Sequence, residues 1–369
     1  MYKSVETLLV EIPTIRPHKM AVATMQTQTL VLVKVTSNDG FVGWGEATTI
    51  GGLGYGEESP ESVKTNIETY LAPLLKSLSG LNFAQTMQHI KKQINGNRFA
   101  KCAIQTALLD IQAQRLNLPL SELLGGRLRD RVPVLWVLAS GNTEKDIAEA
   151  QKMVELKRHN IFKLKIGSRP LQQDVEHVLA IKKALGADVS IRVDVNRAWS
   201  ERQAVQGIQL LQDGGVDLIE QPCAIDNIDA MQRLTERFDI AIMADESLMG
   251  PNSAYQLARR NAASVFAVKV AQSGGLVEAC EVAKIANLAG IDLYGGTMLE
   301  GPVGTMASAH VCTTFENLAY GTELFGPLLL TEEILKTPLQ YQQFELAVPT
   351  TPGLGIELDL DKIDNLRRK

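Results

Sequence analysis

Cysteine is scarce in this chain of 369 residues, and the few that occur are widely spread. The four cysteines, Cys102, Cys223, Cys280 and Cys312, include no Cys-x-x-Cys pair. This spacing argues against a zinc site and against a disulfide framework, because both need cysteines in a closely spaced pattern. We therefore expect these cysteines to be small buried side chains in a reducing cytoplasm.

Long apolar segments are also missing. No run of about 18 apolar residues occurs, so we expect no membrane span. The first residues, Met-Tyr-Lys-Ser-Val-Glu-Thr, contain no apolar signal core, so we do not expect export. There is no basic excess either, because the net charge is −5, and this argues against nucleic acid as a partner.

Two patterns that mark common active sites are absent as well. The five histidines show no pair at i and i+4, and we predict an ordinary polar role for each of them: His18, His89, His159, His177 and His310. The glycine-rich stretch at residues 51–56 lacks the Gly-x-Gly-x-x-Gly order of a dinucleotide-binding loop. We interpret it as a mobile surface loop.

The front third of the chain has strand patterns followed by helix patterns. Residues 29–35 and 41–45 predict two strands, joined by the turn signal Asn38-Asp39-Gly40. Residues 61–118 are helical in pattern, with Phe99, Ala103, Ala107 and Ile111 on one face. We predict an α+β domain over residues 1–128.

From Val132 onward, short apolar strands alternate with helical patterns. Strand cores are predicted at residues 134–137, 161–166, 190–193, 218–219, 240–243, 265–268 and 291–294, and Leu318-Ala-Tyr320 is a candidate eighth. Seven or eight βα units in about 200 residues indicate a parallel (β/α) barrel, which we assign to residues 129–335. A doubly wound open sheet is the alternative. Residues 336–369 form a C-terminal segment, β-like at 352–359, that we expect to return to the first domain.

Charged residues recur at the ends of these predicted strands. Asp194, Glu220 and Asp245 follow apolar runs at intervals of about 25 residues, the length of one strand plus one helix. Taken singly, such an aspartate is an ordinary helix cap. In a barrel, however, the three carboxylates converge, and their repulsion requires a cation. Oxygen ligands favour Mg²⁺ or Mn²⁺, and Asn196 and Glu246 are placed to orient the ligands.

Lysines flank this predicted metal site. Lys163 and Lys165 lie on one face of a strand, and Lys269 ends a strand on the opposite side of the barrel. A lysine transfers protons when its pKa falls towards neutrality, and burial, a like charge and a cation all favour this fall. We predict Lys165 as the acid or base and Lys163 as its electrostatic partner. The site suits chemistry at a carbon next to a carboxylate.

The motifs together resemble the muconate-lactonizing subgroup of the enolase superfamily. They are Lys163-Leu-Lys165, Asp194-Val-Asn196, Glu220-Gln-Pro222, Ala244-Asp-Glu-Ser247 and Lys269. Segments at residues 13–19, 46–52, 294–301 and 322–330 extend the resemblance over essentially the whole chain. It implies an α/β fold, a modified TIM barrel of the (β/α)7β type with an N-terminal α+β capping domain.

The resemblance also implies roles for individual residues. Asp194, Glu220 and Asp245 would bind Mn²⁺ or Mg²⁺, and Lys165 would protonate an enolate. Glu323, at the last strand end, would line the site beside Lys269. Contacts to the substrate are expected from a covering loop and from the barrel wall, at Ile50, Tyr55 and Phe325.

The activity implied is the reversible cycloisomerisation of cis,cis-muconate, a small dicarboxylate, to muconolactone in aromatic catabolism. A chloromuconate substrate, or racemisation or epimerisation of acyl-amino acids or dipeptides, would use the same site. A non-catalytic metal-binding barrel would need the carboxylates but not Lys165. The resemblance further implies a homo-oligomer, often an octamer.

Overall fold

The N-terminal part begins with an antiparallel sheet. The structure is a computed structural model that describes residues 2–19, 24–78 and 80–368. Three strands follow one another in the sheet: β1 (Tyr2–Lys19), β2 (Thr24–Ser37) and β3 (Val42–Thr48). The two predicted strands and the turn between them are thus confirmed, and both strands are longer than their sequence cores.

Helices cover one face of this sheet. They are α1 (Pro60–Asn66), α2 (Ala72–Ser77), α3 (Phe83–Gln93) and α4 (Arg98–Leu116), with a π-helical turn at Ile67–Leu71 and a 3-10 turn at Leu120–Leu124. The predicted apolar face of α4 is buried. Close packing of α4 on β3 depends on Gly45, where an added Cβ would lie 1.9 Å from the Ala103 carbonyl oxygen. The three-stranded capping sheet (β1–β3) and α4 therefore pack against each other as two adjacent layers.

The second part is a curled parallel sheet of seven strands in sequence order. The strands are β5 (Trp136–Leu138), β6 (Ile161–Lys165), β7 (Ser190–Asp194), β8 (Leu218–Glu220), β9 (Ala241–Ala244), β10 (Val265–Val268) and β11 (Asp292–Gly295). The helices are α5 (Thr143–Glu155), α6 (Leu171–Leu185), α7 (Glu201–Asp213), α8 (Ile228–Arg237), α9 (Pro251–Arg259), α10 (Val270–Ser273), α11 (Leu276–Ala289) and α12 (Pro302–Thr313). This arrangement confirms the barrel and not the doubly wound sheet, whose strand order would reverse.

The barrel closes at Thr322. This residue forms parallel bridges to Gly295 at the end of β11 and to Val134 just before β5. The prediction of an eighth strand at Leu318–Tyr320 was therefore wrong, because Ala319 and Tyr320 form a turn and the bridge comes two residues later. A 3-10 turn at Gly326–Leu329 follows.

The C-terminal segment contacts both parts. Strand β12 (Tyr341–Gln342) pairs with β13 (Glu345–Ala347), which pairs in turn with β4 (Arg131–Pro133), and α13 (Leu360–Leu366) ends the fold. The β-like pattern at 352–359 was misleading, because it yields only isolated bridges at Gly353 and Leu358. Hydrogen bonds still tie this end to the first part: Leu354 N donates to Asp110, and Arg368 N donates to the Leu9 carbonyl. Among the described residues, no helix combines the length and apolarity needed to cross a membrane.

Candidate active site and metal centre

Three acidic side chains meet at the carboxyl end of the barrel strands. Asp194 and Glu220 are the last residues of β7 and β8, and Asp245 directly follows β9. In the strand register Lys165 pairs with Asp194 and Asp194 with Glu220, so these side chains stand at the same height. One carboxylate oxygen from each acid lies within 4.8 Å of the other two, and all three residues are buried. The predicted convergence is therefore present.

The charges of this cluster call for a cation. Burial, reinforced by the charge of Asp194, raises the pKa of Glu220 well above its ordinary range. Burial acts in the same direction on Asp194, but Lys165 and Lys163 outweigh it and hold the pKa of that carboxyl low. The lysines offset only part of this charge, although the Lys269 ammonium lies 2.7 Å from an Asp245 oxygen. Three buried carboxylates that converge in this way fit a hard divalent cation.

Lys163 and Lys165 flank the cluster on one side. The Lys163 ammonium lies 2.9 Å from Glu220 and 2.6 Å from Glu323, and Lys165 lies 2.5 Å from Asp194. Burial lowers the pKa of Lys163, but the charges of Glu220 and Glu323 outweigh burial. The net pKa lies well above the ordinary value, so the lysine stays charged. A charged Lys163 fits the electrostatic role predicted for it.

Lys269 flanks the cluster on the other side, directly after β10. Its ammonium lies 2.7 Å from the Asp245 carboxylate and 2.6 Å from the Tyr55 hydroxyl. Burial lowers the pKa of Lys269, but the charges of Asp245, Glu220 and Glu246 together outweigh burial and raise it. Lys165 and Lys269 line the same cavity from strands on opposite sides of the three carboxylates. A planar substrate held at the carboxylates would therefore have one lysine at each face.

Glu323 lines the same cavity as Lys269 and forms an ion pair with Lys163. Its partners among the described residues are Lys163 and the Tyr294 hydroxyl, at 2.6 and 3.1 Å. The resemblance implied a place in the site beside Lys269 but did not say which group Glu323 pairs with. The pairing with Lys163 places a carboxylate next to an enclosed ammonium group, which a buried charge requires.

A shell of polar side chains orients the acids. Asn196 donates from its backbone and side chain to Asp194, and its side chain also reaches Glu246 at 3.3 Å. Burial and the charge of Asp245 raise the pKa of Glu246 to about 8. Gln221 was not foreseen, although it belongs to the quoted Glu-Gln-Pro motif, and its side-chain oxygen accepts from the Asp245 backbone at 3.0 Å.

The expected substrate-contacting residues are only partly brought together. Ile50 and Tyr55 line the cavity beside the lysines, and the loop at residues 51–57 consists of turns and bends. Phe325 does not line it. That ring is fully buried behind the wall, 5.3 Å from the Trp136 ring between centroids, because the chain turns into a 3-10 segment directly after it.

Sequence reasoning missed three cavity-lining residues, His18, Thr297 and Leu299. The sequence predicts an ordinary polar role for His18, but the side chain is buried and its Nδ1 has no hydrogen-bond partner among the described residues. Burial and the positive charges of Lys165 and Arg16 lower its pKa to about 3, so it is neutral. The signal was present, because all three residues lie in segments that carried the family resemblance.

The chain matches two family models. Residues 4–125 match "Mandelate racemase / muconate lactonizing enzyme, N-terminal domain", and residues 145–362 match "Enolase C-terminal domain-like".

Relatives and solved structures match along the full length. The chain is 75% identical to muconate cycloisomerase 1 of Acinetobacter baylyi, over 100% of both chains. It is 43% identical to a chloromuconate cycloisomerase of Cupriavidus necator, over 99% of both chains. The crystal structure of a muconate lactonizing enzyme from Pseudomonas fluorescens, complexed with muconolactone, superposes with a TM-score of 0.97 at 54% identity, covering 100% of this chain and 99% of that one. The chain therefore belongs to the mandelate racemase / muconate lactonizing enzyme family.

Proposed function

We propose that this protein is an isomerase that interconverts cis,cis-muconate and muconolactone. The observation that carries the chemistry is the set of Lys165, Asp194 and Glu220 in register, with Lys269 facing them across one cavity. The identity of the substrate is supported by the full-length relatives, whose names specify muconate or its lactone.

We propose Mn²⁺ or Mg²⁺ as the metal, held by Asp194, Glu220 and Asp245. The choice is supported by an all-oxygen ligand set, which suits hard cations better than zinc or copper. When bound, the cation supplies Lewis-acid stabilisation of negative charge that develops on the substrate carboxylate. Asn196 and Glu246 are not among the three ligands, but their hydrogen bonds orient the ligand carboxylate of Asp194.

The lysines handle the proton. In the forward direction, an oxygen of one carboxylate bonds to a carbon of the conjugated chain, and the electron pair moves towards the other carboxylate. Lys165 then delivers one proton to the carbon next to that carboxylate. The dianion takes up one proton and becomes a monoanionic lactone, so Lys165 must regain a proton in each cycle. Lys163, charged and fixed between Glu220 and Glu323, stabilises the added negative charge.

Lys269 lies on the opposite side of the cavity. It is held by Asp245 and Tyr55, and we assign it electrostatic stabilisation from that face. Two lysines on opposite faces also suit racemisation, which is why the acyl-amino acid racemase and dipeptide epimerase activities are the competing candidates.

Loss of the ultraviolet absorbance of muconate with Mn²⁺ present tests the proposal. Turnover with formation of muconolactone is the expected result. No turnover of muconate, together with racemisation of an N-acyl amino acid, would reject it. Faster turnover of chloromuconate than of muconate would favour the chlorinated substrate.

We further propose a cytoplasmic location, which is supported by the four free cysteines, three of them buried. A homo-oligomer, with an octamer as the expected size, is proposed from the resemblance, and light scattering would measure its mass.

A further inference from the structure

A large apolar residue with a left-handed backbone lies in the wall of the active-site cavity. Leu299 has φ +59°, a conformation that non-glycine residues rarely adopt and that is an outlier for a bulky side chain. Such strain persists only where surrounding contacts enforce it, and it concentrates at functional sites. The loop after β11 therefore fixes Leu299 for a reason other than its own stability.

The enforcing contacts come from both parts of the molecule. The Leu299 backbone N–H donates to the Thr297 hydroxyl at 2.9 Å, within the loop. The Leu299 carbonyl accepts from the Gln28 side chain at 2.9 Å, and the same amide group approaches the Met298 carbonyl at 3.4 Å. Gln28 is a buried residue of β2, so the capping sheet sets the conformation of a barrel loop.

The position of Leu299 gives this conformation a use. Most residues that line the cavity are charged or polar, and its aliphatic members are Ile50 and Leu299. Leu299 is 4% exposed, so it is packed from behind and presents little freedom to the cavity. The wall function that the sequence suggested for Phe325 falls to this residue, because the Phe325 ring lies outside the cavity lining.

We infer that Leu299 is a specificity-determining residue, which packs against the planar hydrocarbon chain between the two carboxylates and leaves no room for substituents on that chain. This inference rests on the proposed function, since it needs a dicarboxylate with an unsaturated chain. The carboxylates of such a substrate find lysines and the metal centre, whereas its central carbons need apolar contact. A residue that cannot relax its backbone rejects a larger chain by steric exclusion, which discriminates better than attraction alone. Gln28 is a positioning residue that acts through Leu299.

The test compares kcat/KM for muconate and for a chloromuconate in wild type and variants, with Mn²⁺ present. Leu299→Ala should shift the ratio of the two values towards the chlorinated substrate by about tenfold or more. Leu299→Gly relieves the backbone strain and should show the same shift, so it replaces the alanine variant if that protein folds poorly. Leu346→Ala, which truncates a buried leucine on β13, is the matched control and should leave the ratio unchanged.

A double-mutant cycle tests the role of Gln28. Gln28→Met removes the donors at similar size and should shift the ratio in the same direction as Leu299→Ala. In the Leu299→Ala background, the same change should have almost no further effect on the ratio. A merely structural role for Gln28 would instead give equal effects in both backgrounds, and that outcome would overturn the positioning claim.

The outcomes separate this inference from the proposed function. An active wild type whose Leu299 variants keep the wild-type ratio would overturn the specificity role and leave the function intact. A wild type that converts neither dicarboxylate would overturn the proposed function and the inference together.

Discussion

The buried carboxyl group of Glu46 should make the stability of the protein depend on pH. Glu46 lies on β3 and accepts hydrogen bonds from the backbone N–H groups of Gly301 and Gly304, at the N-terminus of α12. Burial, with a smaller contribution from the charge of Glu300, raises its pKa from 4.5 to about 7, although these hydrogen bonds oppose the rise. Between pH 4.5 and about 7, the folded protein therefore holds a proton on Glu46 that the unfolded chain has already released.

The sign and size follow from proton linkage. A raised pKa in the folded state gives stability that is fully present below pH 4.5 and is lost as the pH rises through about 7. Since one pKa unit is worth about 1.4 kcal/mol, the titration of Glu46 should lower the free energy of unfolding by about 2.5 kcal/mol between pH 5 and pH 8.

Glu46→Gln removes this titration, because the amide stays neutral at every pH. Urea unfolding of wild type and variant at pH 5 and pH 8, with EDTA in all samples to remove metal effects, measures the difference. Relative to wild type, the unfolding free energy of the variant should be about 2.5 kcal/mol higher at pH 8 than at pH 5. The cost of the altered hydrogen bonds is the same at both pH values and cancels in this comparison. Glu155→Gln, at an exposed position of α5, is the control and should show no such difference. An equal effect of Glu46→Gln at both pH values would refute the argument.

Three further changes test the site and the fold. Lys165→Ala should abolish muconate turnover while Mn²⁺ still binds by titration calorimetry, and retained turnover would reject its role as proton donor. Glu220→Gln should weaken Mn²⁺ binding by at least about 10- to 100-fold, which is the cost of losing a residue that only supports the ligands from outside. Unchanged affinity in the same titration would argue against Glu220 as a ligand. Gly45→Ala should destabilise the protein by about 1–3 kcal/mol in urea unfolding, because its Cβ would collide with the Ala103 backbone. Gly56→Ala, whose Cβ would meet open space, should cost far less, and equal costs would contradict the packing argument.

The barrel and its ring of charges were predictable because they follow from local repeats. A strand alternates its side chains, and one strand plus one helix returns the chain to the same end of the sheet. Equal spacing of Asp194, Glu220 and Asp245 therefore implied equal height. The register of β7 and β8 confirms it for Asp194 and Glu220, whereas Asp245 lies two residues beyond Met243, the partner of Glu220. Strand ends were less predictable, as the closing bridge at Thr322 shows.

The residues that only the tertiary structure revealed depend on contacts between distant parts of the chain. His18 reaches the cavity from β1, and Gln28 holds Leu299 across 271 positions of sequence. No local periodicity records such a contact, because it arises only when the capping sheet docks on the barrel.

The same division explains the electrostatics. The sequence by itself determined that lysines and carboxylates share one strand end, since their spacing follows the βα repeat. Only the tertiary structure decided which of them pair, and it placed Glu323 against Lys163 and Tyr55 against Lys269. The energy of a buried charge depends on every neighbour within a few ångströms, and those neighbours are set by packing rather than by position along the chain.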